Sequence, residues 1–261
     1  MSISGDLILH LYSTVDEFVK DSEEVVIAFS GGVDSSVLAK ICKDLGKTVN
    51  LVTIGFANSH DILFSQSVSK LLGLSSSHIA FELKEAEFID DCKYVMSKLD
   101  CHKLSHIENC IAFYQISKIV KDNNLGSTFL TANGIDELFC GYDRYRSIYS
   151  QGETGLLSFM HEKIENELHM MNEISVIIGL LNIQSFQPFL SDSFVNYAKE
   201  IPFEFKIKGP EDMLRKHIIR QIAIEIGVPK ESALHPKKAM QYGTNLHKLL
   251  KKRNDLCFGL S

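Results

Sequence analysis

Val25-Val26-Ile27-Ala28-Phe29 runs directly into Ser30-Gly31-Gly32-Val33-Asp34-Ser35-Ser36, and Val37, Leu38, Ile41 and Leu45 then recur at helical spacing until Gly46. This pattern predicts a buried strand that ends in a turn of small, hydroxyl-bearing and glycine residues, with a helix beginning inside the turn. Adjacent glycines allow backbone conformations and close approaches that a side chain forbids. The start of a helix adds unpaired N–H groups and the positive end of a dipole, so the turn suits an anion. It is not a Walker A loop, which needs a lysine before its last hydroxyl residue, nor a G-x-G-x-x-G dinucleotide turn.

The same alternation continues outward. Short apolar segments at 24–29, 48–54, 78–83 and 127–132 read as strands, and residues 4–20, 35–45, 61–72, 85–99 and 105–122 read as helices. Ser105 and Glu108 have the spacing of a capping box at the start of the last of these. Strands alternating with helices predict a doubly wound parallel sheet covered on both faces, an α/β fold. After Tyr145 the pattern becomes helical only, punctuated by Pro202, Pro210, Pro229 and Pro236. We expect a single domain over 1–261, with an α/β core at about 20–145 and a helical C-terminal portion at about 146–261 that folds back over it.

With 261 residues, 45% of them apolar, the chain can bury a full core. No apolar run reaches the roughly 18 residues of a membrane span, and the first six residues carry no basic leader, so a soluble cytoplasmic protein with no membrane partner is expected. Six scattered cysteines without C-x-x-C pairs fit reduced thiols. Cys101, His102, His106 and Cys110 lack the paired spacing of a zinc site and read as core and cap residues. The net charge of −6 opposes global attraction to nucleic acid, yet twelve Lys/Arg against four Asp/Glu fall between Lys206 and Arg253. That basic quarter keeps tRNA open as a partner, although no RNA-binding module is recognisable.

The glycine turn resembles the pyrophosphate-binding PP-loop, S-G-G-x-D-S, of the ATP pyrophosphatases. A second turn, Asn133-Gly134-Ile135-Asp136-Glu137-Leu138-Phe139-Cys140-Gly141-Tyr142, follows the strand at 127–132. It resembles the S-G-E-G-(S/A)-D-E-(L/V)-F-G-G-Y segment in the synthetase half of the asparagine synthetase family. Ile54-Gly55-Phe56-Ala57-Asn58-Ser59-His60-Asp61 is similar to that family's V-G-x-x-x-S-x-D turn. Leu214-Arg215-Lys216 and His235-Pro236-Lys237-Lys238 are similar to its L-R-K and R-x-K-x elements, and Gln187-Pro188-Phe189-Leu190 to its x-P-F-L-D, with Ser191 in place of the Asp. The resemblance spans about Val25 to Lys248. It implies a fold of the PP-loop ATP pyrophosphatase (adenine nucleotide alpha hydrolase-like) type.

The resemblance implies an AMP-forming carbon–nitrogen ligase that adenylates a carboxylate, aspartate or a similar small acid, and then amidates it. ATP would be the substrate and Mg²⁺ the cofactor, held by Asp34 and Asp136. Mg²⁺ with one or two carboxylates suits a reaction in which two anions meet and pyrophosphate leaves. Phe29, Ser30, Gly31, Gly32, Asp34, Ser35, Ser36, Ile54, Thr131, Ala132 and Gly134 would border the nucleotide. Lys237 would stabilise the charged phosphate in the transition state. The family's catalytic Glu is Asn133 here, and an amide cannot usefully accept a proton at neutral pH. Ser2 follows Met1 and about two dozen residues precede the first core strand, so no glutaminase domain with a Cys nucleophile is expected. Nitrogen would come as ammonia or from a separate glutaminase subunit. Two other readings stand beside this one: a PP-loop enzyme that adenylates another group, such as a tRNA base, and a nucleotide-binding subunit or sensor without turnover.

Overall fold

In a computed structural model, which describes residues 2–100, 103–236 and 238–252, five strands form one parallel sheet among the described residues. They are β1 (Glu24–Ala28), β2 (Thr48–Gly55), β3 (His78–Glu82), β4 (Thr128–Leu130) and β5 (Gln184–Phe186), in the order β3-β2-β1-β4-β5. Register is fixed by pairs such as Ile27 with Leu51 and Ile27 with Leu130. Chain order reverses between β1 and β4. In an open doubly wound sheet, ligands bind in the crevice at that reversal, outside the carboxyl ends of the strands.

Helix α1 (Ile3–Val19) precedes β1, and between the strands run α2 (Val33–Asp44), α3 (His60–Leu71), α4 (Glu85–Met96) and α5 (Leu104–Asp122). After β4 come two short helices, α6 (Ile135–Leu138) and α7 (Arg144–Ile148), and then the 28-residue α8 (Gly152–Gly179). The chain ends in α9 (Asp192–Glu200), α10 (His217–Glu225), α11 (Lys230–Ala233), α12 (Met240–Gly243) and α13 (Leu246–Lys252). Period-two alternation divides β1 between two cores. Val25 and Ile27 pack with α1, α2, α9 and α10, and Val26 packs with α4, α5 and α8 on the other face. Helices on both faces leave every central strand buried on both sides, which is why these strands read as continuous apolar runs rather than alternating ones.

Three expectations need correction. The region after Tyr145 is not wholly helical, since Gln184–Phe186 adds the edge strand β5. Three residues are too few to show a period. The capping box at Ser105 and Glu108 does not form either. α5 begins at Leu104, and the Glu108 carboxylate turns inward to His247 Nδ1 at 2.6 Å, a partner 139 residues away. The predicted strand at 127–132 shortens to Thr128–Leu130, and Thr131 to Gly134 form a loop instead. Cys42 and Cys140 are buried free thiols, and Cys92 and Cys110 are buried as well. No helix among the described residues is long and apolar enough to cross a membrane.

Candidate active site

Three segments far apart in sequence converge where the strand order reverses. The first is the glycine turn after β1. Gly31 has φ +78, and a Cβ there would lie 3.1 Å from Phe64 and from the Ser65 backbone of α3, so both backbone conformation and space call for glycine. The hydroxyls of the turn are spent locally. Ser35 Oγ accepts from Ser30 N at 3.3 Å and donates to Gly32 O at 3.2 Å, and Ser36 Oγ donates to Gly31 O at 3.2 Å. From α11, Ser232 Oγ donates to Gly31 O at 2.7 Å, which ties the C-terminal helices to the loop. Asp34 stands in the first turn of the 12-residue α2.

The second segment is the loop after β4. Gly134 has φ +108, and a Cβ there would lie 2.5 Å from Phe189 O. Its N–H donates to Glu137 Oε2 at 2.9 Å, and the Tyr142 hydroxyl donates to the other oxygen of Glu137. Burial, together with the negative charge of Glu137, pushes the Tyr142 phenol well above its ordinary range, so it stays a donor. Glu137 is thereby committed to holding the loop. Gly141, free of a Cβ, leaves room for the Asp136 carboxylate.

The third segment begins at Lys216, a residue in left-handed conformation (φ 52) at the start of α10. Its side chain is only 1% exposed. The ammonium lies 2.6 Å from Asp34 Oδ2 and 2.6 Å from Asp136 Oδ1, so a single cation joins the two loops. Asp34 Oδ1 is buried without a hydrogen-bond partner among the described residues. A buried carboxylate oxygen left in this way is costly unless a cation or donor meets it. Two hard carboxylates converging on one point, one with an orphaned oxygen, fit a Mg²⁺ ion that keeps water and substrate oxygens as its other ligands.

A cleft of about 340 Å³ opens beside these acids. Of the residues expected to handle nucleotide, it is bordered by Phe29, Ser30, Asp34, Ser35, Ile54, Thr131, Ala132, Asn133 and Asp136. Gly32 lies on an adjoining hollow with Lys216, Arg220, His60, His235 and Lys238. Arg220 donates from Nη1 to Ala233 O and His235 O at 2.7 and 2.9 Å, and its buried Nη2 has no hydrogen-bond partner among the described residues. Burial lowers the pKa of both Arg220 and the neighbouring His235, the latter helped by the positive charges around it. Lys216, Arg220 and Lys238 thus gather in this hollow next to the glycine turn, together with the carboxylates of Asp34 and Asp61 that also line it. Ser36 and Gly134 are buried within the loops they shape and do not border the cleft. Lys237 lies outside the described residues.

Asn133 has a partner that the sequence does not reveal. Its Nδ2 donates to Glu167 Oε1 at 2.5 Å, and its Oδ1 accepts from Thr131 Oγ1 at 2.5 Å. Glu167 projects from the middle of α8 into the cleft and is only 7% exposed. A carboxylate thus stands one hydrogen bond from the position where the related motif carries Glu.

The family model described as asparagine synthase matches residues 7–175 and 183–257. A curated relative, the asparagine synthetase domain-containing protein CG17486 of Drosophila melanogaster, is 22% identical over 263 residues, covering 85% of this chain. The chain spans 45% of the length of that relative. Among solved structures, a predicted subunit of tRNA methyltransferase from Methanocaldococcus jannaschii aligns with TM-score 0.36 and 19% identity, over 82% of this chain and 93% of that one.

Proposed function

Because the chain belongs to the asparagine synthase family, whose members use ATP on a PP-loop fold, we propose that it is an AMP-forming ligase that adenylates a small carboxylate and passes the acyl group to ammonia. The observation that carries this reading is the meeting of Asp34 and Asp136 on the Lys216 ammonium at the carboxyl ends of β1 and β4, beside a cleft. An anion-binding turn alone would serve many phosphate ligands. Two carboxylates and a buried cation at the strand reversal are what a reaction needs when it gathers negative charge at an α-phosphate.

On this reading the nucleoside lies against Phe29, Ile54, Thr131 and Ala132. The N–H groups at the start of α2 and the glycine turn meet the departing pyrophosphate, with the Arg220 Nη2 group as a further donor. Bound at Asp34 and Asp136, Mg²⁺ supplies neutralisation of the triphosphate charge. Lys216 follows the developing charge on the phosphate, and Lys237 adds a second cation there.

In the second half-reaction ammonia attacks the acyl carbon, the carbon–oxygen bond to AMP breaks, and the attacking nitrogen loses a proton. Asn133 cannot take that proton, and Glu137 is held by Gly134 and Tyr142. Glu167, oriented by the Asn133 amide, accepts it. The decisive experiment is exchange of labelled pyrophosphate into ATP with Mg²⁺ and a series of carboxylic acids that includes aspartate. Exchange that requires both metal and acid is the expected result. ATP binding without exchange for any acid overturns the ligase reading in favour of a nucleotide-binding subunit.

A further inference from the structure

We propose that His106, His169 and Glu173 form a binding site for a zinc-class divalent metal ion on the rim of the cleft, separate from the Asp34–Asp136 pair. One ligand atom from each residue lies within 4.8 Å of the other two. The carboxylate of Glu173 sits between the imidazoles, with Oε2 at 2.9 Å from His106 Nδ1 and Oε1 at 3.6 Å from His169 Nδ1. In tetrahedral zinc sites with bonds of about 2.0–2.2 Å, neighbouring donor atoms are roughly 3.3–3.5 Å apart. The two observed separations, each to a different oxygen of the Glu173 carboxylate, lie on either side of that value. The three side chains therefore already face one another, and rotation of His169 and of the Glu173 carboxylate brings one donor atom from each toward that spacing.

The elements that carry the ligands make the arrangement rigid where it must be and adjustable where it can be. His169 and Glu173 are four residues apart on α8, so they share one face of that helix. His106 comes from the first turn of α5, which packs against α8 across the sheet face. His106 and Glu173 are largely buried, with side chains 11% and 18% exposed, whereas His169 is 70% exposed and can close onto an ion by rotating about its side-chain bonds.

Donor chemistry decides which cation fits. Two neutral imidazoles and one carboxylate suit zinc and its neighbours in the transition series, whereas Mg²⁺ takes oxygen ligands. Three protein ligands leave the fourth position to water, and the complex carries one net positive charge. An ion here would clamp α8 to α5. Glu167 lies two residues from His169, and His106 borders the cleft itself. The clamp therefore fixes the part of α8 that presents Glu167. This inference does not depend on the ligase reading, since metal binding is measured directly.

The test uses the full chain, stripped of metal with chelator and kept in excess Mg²⁺ so that oxygen sites are occupied. Calorimetric titration with Zn²⁺ should show one equivalent, and Co²⁺ should give the visible band of a tetrahedral ion. His169→Ala, an exposed change that leaves the fold intact, should weaken Zn²⁺ at least about tenfold, the least that loss of even an outer partner costs. Glu173→Gln, which preserves shape, should do the same, and Asp34→Asn should leave affinity unchanged. Wild-type affinity in both His169→Ala and Glu173→Gln overturns the site. So does Zn²⁺ binding that disappears with Asp34→Asn, or a cobalt–thiolate absorption that persists in His169→Ala.

Discussion

Lys216 Nζ lies 2.6 Å from Asp34 Oδ2, and the same ammonium is shared with Asp136. Removing one partner from a buried ionic cluster leaves the others uncompensated and typically costs about 3–5 kcal/mol. Lys216→Met should therefore lose about that much stability in urea titrations with chelator present. Millimolar Mg²⁺ should restore part of the loss, because an ion bound only by the folded chain stabilises it by mass action. An unchanged midpoint in chelator, or no Mg²⁺ response, would show that the ammonium does not hold these acids together.

Asp34→Asn and Asp136→Asn should each reduce Mg²⁺-dependent pyrophosphate release by at least about a hundredfold, the scale of one lost electrostatic group at a transition state. Far-UV circular dichroism should remain that of the parent. The amide keeps the shape and removes the charge that faces the Lys216 ammonium. Near-normal release by either variant, with Mg²⁺ still required, would rule out the two-loop site.

These two loops were legible in the sequence because their information is local. A glycine turn between an apolar run and a helical period can be read from a dozen residues. Lys216 is legible in the sequence as the end of the Leu214-Arg215-Lys216 element and as one member of a basic stretch, but neither marks it as the lysine that turns inward. Its left-handed backbone and its two acidic partners come from tertiary contact across 182 and 80 residues. Glu167 was harder still, since an acidic residue inside a long amphipathic helix is ordinary until Asn133 is found against it. His106 stands near Cys101, His102 and Cys110 in sequence, yet its partners His169 and Glu173 lie on α8, more than sixty residues on. β5 carries no sequence signal because three residues cannot display a period.

Gly134→Ala should destabilise the chain by about 2–3 kcal/mol, combining the cost of φ +108 for a residue with a Cβ and a contact of 2.5 Å with Phe189 O. Gly46 also has positive φ (+77), but nothing lies within 4 Å of a Cβ there, so Gly46→Ala isolates the backbone cost alone. The difference between the two variants in chemical denaturation measures the clash. Equal losses would show that the loop yields freely at Phe189.

His78 gives a pH dependence with a definite sign. Burial lowers its pKa from the usual 6.5 to about 4, and its ring nitrogens are engaged by Thr53 Oγ1 at 2.8 Å and Ser69 Oγ at 2.9 Å. Above pH 6.5 the imidazole is neutral whether the chain is folded or not. Between about 6.5 and 4 the unfolded chain takes up a proton that the folded chain refuses, so stability falls as pH falls, by up to about 1.4 kcal/mol per unit. Below about 4 both states are protonated and this contribution levels off. His78→Gln should flatten the decline between pH 6.5 and 4.5 in parallel urea titrations. An identical slope in both proteins would assign the decline to carboxylates alone.

The contact between Asn133 and Glu167 makes the sharpest claim about chemistry. Adenylation needs the two loops and the cations around them, whereas release of a proton from the attacking nitrogen needs a base. A general base of this kind contributes about 100- to 10,000-fold. Glu167→Gln keeps size and polarity but removes the base, so exchange of pyrophosphate into ATP should persist while amide formed per AMP falls by about that factor. Asn133→Glu in the Glu167→Gln background moves the carboxylate to the other end of the same 2.5 Å hydrogen bond and should restore amide yield. Asn133→Glu alone would bring two carboxylates together in a buried site. It should raise the pKa of one of them and shift the pH optimum of amide formation upward without raising its maximum. Loss of exchange in Glu167→Gln would assign Glu167 to adenylation instead. Undiminished amide yield in that variant would show that the proton leaves by another route.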